Sequence, residues 1–206
     1  MNKKIIKDTV SLVLITLIAA LLLSFVFELT KDTIEEATAK ERFESYEAVF
    51  ESAKSFKDMD IGSDPIPDNL LPKGVTVEEL MAVYEEDPNT PAGCVVSVRT
   101  SNGYGGDIVL SLGITLDGTI TGMKVTQMSE TSGLGAKCLD EEFRSQFKGI
   151  KADSIRFVKD GKKAPDEIDA ISSATVTTTA ITDAVNGGLI ASRYYFATNP
   201  EVNKDE

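Results

Sequence analysis

The chain has 206 residues, of which 42% are hydrophobic, a size that suits one packed domain with an additional anchor. Its formal net charge is −12, from 33 acidic and 21 basic residues, and this negative field repels phosphate backbones, so we expect no nucleic-acid partner. The absence of His and of any CxxC pair argues against a metal site and against a histidine general base.

The N-terminus predicts a membrane anchor. Lys3, Lys4 and Lys7 precede an uncharged, apolar segment, Thr9–Phe27. A bilayer core of about 30 Å takes about 20 helical residues, so this segment suffices for one transmembrane helix. A cleaved signal peptide is the alternative, but its apolar region is shorter, and residues 25–28 offer no small-residue cleavage site. The lysines place the N-terminus in the cytoplasm and the rest of the chain outside it.

The region after the anchor predicts a helix over Thr30–Lys57, with one face against the domain. Its pattern is a recurrence of apolar residues at steps of three and four: Phe43, Tyr46, Phe50 and Ala53. Residues 61–75 are rich in Pro and Gly and predict a loop. Val77–Tyr84 fits a short strand or a short helix, and the sequence does not decide between them.

The middle of the chain predicts antiparallel strands. Cys94–Thr100 alternates in polarity, and Asp107–Thr115 does so more clearly, with one apolar face made of Ile108, Leu110, Leu112 and Ile114. Asp117-Gly118 is a strong hairpin signal, and Thr119–Gln127 is the expected partner strand. Of the two cysteines, Cys94 begins the first of these strands and Cys138 follows the hairpin. Free buried thiols are the simpler interpretation, and a disulfide outside the cytosol is the alternative.

The C-terminal third predicts short elements and one long helix. Asp140–Phe147 suits a short helix, Arg156–Val158 a strand, and residues 159–163 its turn. Thr178–Tyr195 predicts a helix with one apolar stripe, formed by Ile181, Ala184, Val185, Gly188 and Leu189. The polar tail after Asn199 is expected to fray. Together these elements predict an α+β domain, an antiparallel sheet with flanking helices, preceded by one N-terminal transmembrane helix.

Two glycine-containing loops could contact a ligand. The first, Gly103–Gly106, precedes the clearest strand, and its glycines allow a backbone to approach a ligand, although a plain turn that opens the strand is the favoured explanation. The second, Ser129–Gly135, follows the hairpin and is small and polar except for Leu134. Such a loop can wrap a flat ring, and it can equally be a surface connection.

A third segment, Asp169–Thr179, is rich in hydroxyl groups and leads into the last predicted helix. Such residues cap helices, which is the simplest explanation for them. A helix start also presents free N–H groups and a partial positive charge, which suit a phosphate. A threonine hydroxyl held there could be esterified by that phosphate.

In their order, these three segments resemble the FMN-binding domain of the RnfG and NqrC subunits of ion-translocating oxidoreductases. That family has a Gly-Tyr-Gly loop, a segment like Glu-Thr-Pro-Gly-Leu-Gly and an Asp-x-x-Ser/Thr-Gly-Ala-Thr motif. The corresponding segments here are Gly103–Gly106, Glu130–Gly135 and Asp169–Thr175. The likeness covers about residues 95–195, and the anchor also matches. The compact spacing favours RnfG, with an NqrC-like subunit or a free-standing extracytoplasmic flavin carrier as the alternative.

The resemblance implies that FMN is bound covalently, by a phosphoester to Thr175. It also implies that Asp169, with the run Ser172–Ala174, is recognised by a flavin transferase of the ApbE kind. Three departures stand out, since Ser173 replaces a usual Gly, Ser132 a usual Pro and Met128 a frequent His. The implied cofactor-binding residues are Tyr104, Gly105, Glu130, Thr131, Gly133, Leu134, Gly135, Ser172, Ser173, Ala174, Thr175, Val176, Thr177 and Thr178.

The implied function is electron transfer within a membrane-bound, ion-translocating ferredoxin:NAD oxidoreductase of the Rnf type. The chain would be a redox subunit without a catalytic residue or metal of its own, with the other Rnf subunits and the lipid bilayer as partners. We expect residues 1–29 to form the cytoplasmic N-terminus and anchor, 30–90 a membrane-proximal helix and linker region, and 91–206 the FMN-binding domain. The protein would span the cytoplasmic membrane once, with its C-terminal domain outside.

Overall fold

The computed structural model describes residues 3–61, 65–67 and 69–199. Two compact units make up the chain, Met1–Phe43 and Glu44–Glu206. The polar tail predicted after Asn199, and residues 62–64 and 68 of the loop predicted over 61–75, lie outside the described residues.

The first unit is helical and belongs to α1, Lys3–Val49. Within α1, the stretch Ile5–Val49 is long and apolar enough to cross a membrane, judged by its length and composition. The large apolar side chains of the segment predicted as an anchor, such as Leu12 and Leu23, are exposed rather than packed in a protein core. This is the expected property of a helix whose apolar surface faces lipid.

The helix predicted through Lys57 ends earlier, so that part of the prediction is wrong. After Val49 the chain turns, and Ser55–Asp58 forms β1. The carbonyl of Val49 accepts a hydrogen bond from the hydroxyl of Thr121 at 2.5 Å, and Phe50 is buried in the second unit. Packing against the sheet therefore ends the helix, although the apolar period continues in the sequence. Phe43, placed on the same stripe by the sequence, is 50% exposed.

The second unit contains a five-stranded antiparallel sheet whose strand order follows the sequence. Besides β1, its strands are β2 Val75–Tyr84, β3 Pro91–Thr100, β4 Ile108–Thr115 and β5 Ile120–Gln127. The undecided segment 77–84 is thus a strand, and β1 and β2 extend the sheet across the boundary predicted at residue 90. The predicted hairpin joins β4 to β5, with Gly118 in the left-handed conformation that such turns use, at φ +84°.

Short elements lead from the sheet to the last helix. The predicted helix over 140–147 is present as α2, Glu141–Arg144, followed by a 3-10 turn at Ser145–Phe147. A 3-10 helix at Gly135–Leu139 was not predicted. The predicted strand Arg156–Val158, β6, pairs in parallel with an unpredicted strand, β7, Glu167–Asp169. The last helix, α3, spans Thr175–Thr198 and so begins three residues before the predicted start.

Both faces of the sheet are covered within the second unit. The apolar stripe of α3, including Ile181, Val185 and Leu189, packs with the alternating β4 residues on one face. On the other face, apolar residues of β2 and β3 are covered by Tyr46, Val49 and Phe50, which lie at and just after the end of α1. The antiparallel sheet with its helices confirms the predicted α+β class.

The two cysteines are buried and free. Burial raises the pKa of the Cys94 thiol to about 12. The same cause raises the pKa of the Cys138 thiol, to about 11. The sequence left open whether these cysteines are free or form a disulfide, and in the structure both thiols are free.

Candidate functional site

The three motif segments meet at one cleft of about 540 Å³ in the second unit. A cleft of this volume is within the range of sites for small ligands and cofactors. Its lining residues are Tyr104, Glu130, Thr131, Leu134, Gly135, Ser173, Ala174, Thr175, Val176 and Thr177. The fold thus brings together segments that are far apart in the sequence, from before β4, after β5 and at the start of α3.

The loop before β4 is held against the loop after β5. A Cβ atom at Gly103 would lie 2.8 Å from Oε1 of Glu130, and one at Gly105 would collide with the backbone carbonyl of Ser129. These glycines therefore allow the two protein loops to pack closely together. Between them, the ring of Tyr104 is 75% exposed and stands at the rim of the cleft.

The loop after β5 is closed by its own backbone. The carbonyl of Thr131 accepts hydrogen bonds from the N–H groups of Leu134 at 3.2 Å and Ala136 at 3.1 Å. Gly133 occupies the left-handed region at φ +75°, which lets the chain reverse there. The reversal leaves Leu134 at the wall of the cleft, 44% exposed, as an apolar surface that could contact a flat ring.

One carboxylate joins all three segments. Glu130, only 8% exposed, accepts a hydrogen bond from the N–H of Gly105 on Oε1 at 3.2 Å. Its Oε2 accepts a second one from the hydroxyl of Thr177 at 2.8 Å. A Cβ atom at Gly135 would collide with Oε2, so glycine there leaves the carboxylate its place. Among the described residues that line the cleft, Glu130 is the only charged one.

The segment before α3 forms a tight turn. The N–H of Ala174 donates to the carbonyl of Ile171 at 3.0 Å, and Ser173 takes a left-handed conformation with φ +63°. The buried hydroxyl of Thr178 fixes this turn from below, because it donates to the carbonyl of Ala174 at 2.9 Å and accepts from the N–H of Ile171 at 3.1 Å. The turn ends where α3 begins.

Thr175 is the first residue of α3 and is exposed at the edge of the cleft. Within the described part of the chain, its hydroxyl makes no hydrogen bond, and no side chain caps the start of α3. The N–H groups of the first helical turn have no partner within a helix, and they carry a partial positive charge. The site therefore offers a free hydroxyl beside donors that suit a phosphate.

Asp169 and Ser172 line a separate cleft of about 400 Å³. Asp169 ends β7, and its backbone N–H donates to Oε1 of Gln146 at 2.7 Å. Its buried Oδ1 atom has no hydrogen-bond partner within the described residues. Lys137 and Lys162 are the basic residues that line this second cleft.

Known proteins resemble this chain both in the anchor and in the segments that form the first cleft. Residues 103–189 match the family described as FMN-binding domain, and residues 1–49 match the RnfG N-terminal region. The G subunit of the ion-translocating oxidoreductase complex of Methanosarcina acetivorans is 31% identical over 192 residues, which are 91% of this chain and 94% of that protein. The chain belongs to the RnfG family.

A second RnfG-family relative agrees with this assignment. The G subunit of the Na⁺-translocating ferredoxin:NAD⁺ oxidoreductase complex of Acetobacterium woodii is 31% identical over 89% of each chain. Among solved structures, NqrC of Shewanella oneidensis has a TM-score of 0.53 and 21% identity, covering 70% of this chain and 84% of that one. At this identity the likeness to NqrC concerns the fold. The resemblance to RnfG and to its FMN-binding domain is confirmed.

The cleft has features that fit FMN. Leu134, Val176 and the ring of Tyr104 give it exposed apolar surface for the flavin ring, and the start of α3 offers N–H groups for the phosphate. No Lys or Arg is among the described residues that line it. A phosphate there would thus meet backbone N–H groups and hydroxyl groups rather than a cationic side chain.

Some of the predicted site residues do not line this cleft. Gly105 and Gly133 shape its loops, Thr178 lies buried behind the turn, and Ser172 with Asp169 lines the second cleft.

The link from Glu130 to Thr177 and Gly105 was not predicted from the sequence. The buried position of a glutamate in a small polar loop gives no sequence signal, because its partners come from distant segments.

Proposed function

We propose that this chain is the electron-transfer subunit of an Rnf-type, ion-translocating ferredoxin:NAD oxidoreductase complex and carries FMN covalently on Thr175. Its partners would be the other subunits of that complex. Support comes from membership of the RnfG family and from the complex to which the Acetobacterium woodii relative belongs. When bound, the flavin supplies the redox chemistry, and this chain orients it, so the protein is not catalytic alone.

The observation that best supports a covalent linkage is the free hydroxyl of Thr175 at the start of α3. It is exposed at the cleft, whereas the hydroxyls of Thr177 and Thr178 are buried and hydrogen-bonded. Because no cation is found among the described lining residues, a phosphate held by donors alone would dissociate readily. A covalent bond would prevent the FMN from dissociating from a domain that lies outside the cytoplasm.

Attachment requires a flavin transferase of the ApbE kind and a flavin dinucleotide as donor. A new bond would form between Oγ1 of Thr175 and the phosphorus next to the flavin, while the pyrophosphate bond breaks. The nucleoside monophosphate would leave, and the hydroxyl proton would be transferred away. We further propose that the transferase recognises Asp169, which lines the second cleft, and the run from Ser172 to Ala174, whose two serines are exposed.

The proposed location is the cytoplasmic membrane, crossed once by α1. The lysines at positions 3, 4 and 7 favour a cytoplasmic N-terminus, so residues 91–206, with the cleft, would lie outside the cytoplasm. In this arrangement residues 1–29 would form the N-terminus and anchor, and residues 30–90 the membrane-proximal region, whose strands β1 and β2 belong to the sheet of the second unit.

The linkage is tested with Thr175→Ala, produced together with the flavin transferase. The wild-type band in a denaturing gel should fluoresce under ultraviolet light, and the variant band should not. Thr179→Ala is the matched control, since Thr179 lies one turn further along α3 and, among the described residues, its hydroxyl bonds only to the carbonyl of Thr175. A fluorescent Thr175→Ala band would refute attachment at this residue.

A further inference from the structure

Glu130 is buried, carries a carboxylate and joins three segments of the chain by hydrogen bonds. No other described residue that lines the flavin cleft has all three properties. Each of its two oxygens accepts a hydrogen bond from a different segment, from Gly105 at 3.2 Å and from Thr177 at 2.8 Å. Both carboxylate oxygens are thus used as hydrogen-bond acceptors. The side chain therefore links the loop before β4 to the first turn of α3, where Thr175 lies.

The surroundings of Glu130 leave little room for another arrangement. A Cβ atom at Gly103 would lie 2.8 Å from Oε1, and one at Gly135 would collide with Oε2. The charge is felt nearby, since the pKa of the Cys138 thiol is raised first by burial and then by the negative charge of Glu130. No basic side chain is among the described residues that line this cleft, so Glu130 has no ion-pair partner there.

We infer that Glu130 is a positioning residue, which ties the Gly103–Gly106 loop to the start of α3 and places a fixed negative charge beside the flavin. Reduction adds electron density to the flavin ring, and a neighbouring negative charge opposes that addition. The charge thus lowers the midpoint potential of the flavin. The electrostatic part of this inference rests on the proposed function, whereas the positioning part concerns the protein alone.

The positioning part is tested in the flavin-free, full-length chain by amide hydrogen exchange. Glu130→Ala removes the acceptor of the Gly105 N–H, so exchange at Gly105 and at Thr178, whose N–H donates to the carbonyl of Ala174, should accelerate about tenfold or more. Glu47→Ala, which removes an exposed carboxylate near the end of α1, is the control and should leave these amides unchanged. Unchanged exchange at Gly105 in Glu130→Ala would overturn the positioning role.

The electrostatic part is tested by redox titration of the flavin-loaded chain. Glu130→Gln keeps the size of the side chain and removes its charge, so the midpoint potential should rise. Glu130→Asp keeps the charge and should stay close to the wild type, and Glu47→Gln should equal it. Equal shifts in Glu130→Gln and Glu130→Asp, or no shift in Glu130→Gln, would overturn this role.

Failure of the proposed function gives a different result. A wild-type band that does not fluoresce in a denaturing gel speaks against covalent attachment at Thr175. It leaves the exchange experiment on Glu130 fully decisive, because that experiment uses no flavin.

Discussion

Ser173 has a backbone conformation that L-amino acids adopt only at a cost. Its φ is +63°, and the related motif has glycine at this position. We expect Ser173→Gly to raise the free energy of unfolding by about 0.5–1 kcal/mol, since relief of strain exceeds the added entropy of the unfolded glycine. Denaturant unfolding of the flavin-free chain measures this difference.

Ser172→Gly is the matched control for that experiment. Ser172 is the preceding residue, is also exposed, and is not among the described residues with a positive φ. Glycine there relieves no strain and only adds freedom to the unfolded chain, so stability should fall by about 0.4–1 kcal/mol. If both variants change stability in the same direction, strain at Ser173 is not the cause.

At the scale of elements, the loop from Glu130 to Gly135 permits a sharper test than its sequence alone. A side chain at Gly135 would collide with Oε2 of Glu130 and lie within 2.7 Å of the hydroxyl of Thr177. Gly135→Val should therefore displace the loop and change the visible spectrum of the native, flavin-loaded protein. Fluorescence in a denaturing gel should persist, because the nearest atoms to the new side chain belong to Glu130 and Thr177 rather than to Thr175.

Gly133→Val tests the same loop through strain alone. Gly133 has φ +75° with no atom within 4 Å of an added Cβ, so valine there costs roughly 1–2 kcal/mol without a collision. Gly161→Val is the control, because Gly161 has φ +84° and equally open space in the turn after β6. We expect a changed flavin spectrum for Gly133→Val and not for Gly161→Val. Wild-type spectra for both loop variants would show that this loop does not contact the flavin.

The elements that could be predicted are those whose signals are local. The alternation in β4 and the Asp117-Gly118 turn needed only neighbouring residues, and both are found as expected. The end of α1 and the strand β7 depended on distant partners, Thr121 and β6 respectively, which the sequence does not display. The same limit applies to the site, where the three motifs were visible but their connection through Glu130 was not.

At the scale of the whole molecule, the charges before the apolar segment predict an orientation in the membrane. Because three lysines precede the apolar segment, we expect a phosphatase fused to the C-terminus of the full chain to be active in a bacterial host. A fluorescent reporter that matures only in the cytoplasm should stay dark at the same position. Replacing the three lysines by glutamate removes the signal and should reduce phosphatase activity. A bright cytoplasmic reporter on the unaltered chain would reverse the topology.

The end of α1 packs closely on glycines of the sheet, and this packing limits how far the N-terminus can be shortened to obtain the domain without its membrane segment. Added Cβ atoms at Gly113 and Gly122 would press on Val49, and one at Gly93 would lie 3.0 Å from the ring of Phe50. A truncated chain that starts at residue 44 keeps Val49 and Phe50, which pack against these glycines. One that starts after Phe50 leaves the apolar face of β2 and β3 uncovered, and such a surface promotes aggregation. Truncation of the chain after the end of α1 would therefore remove part of the hydrophobic core of the second unit.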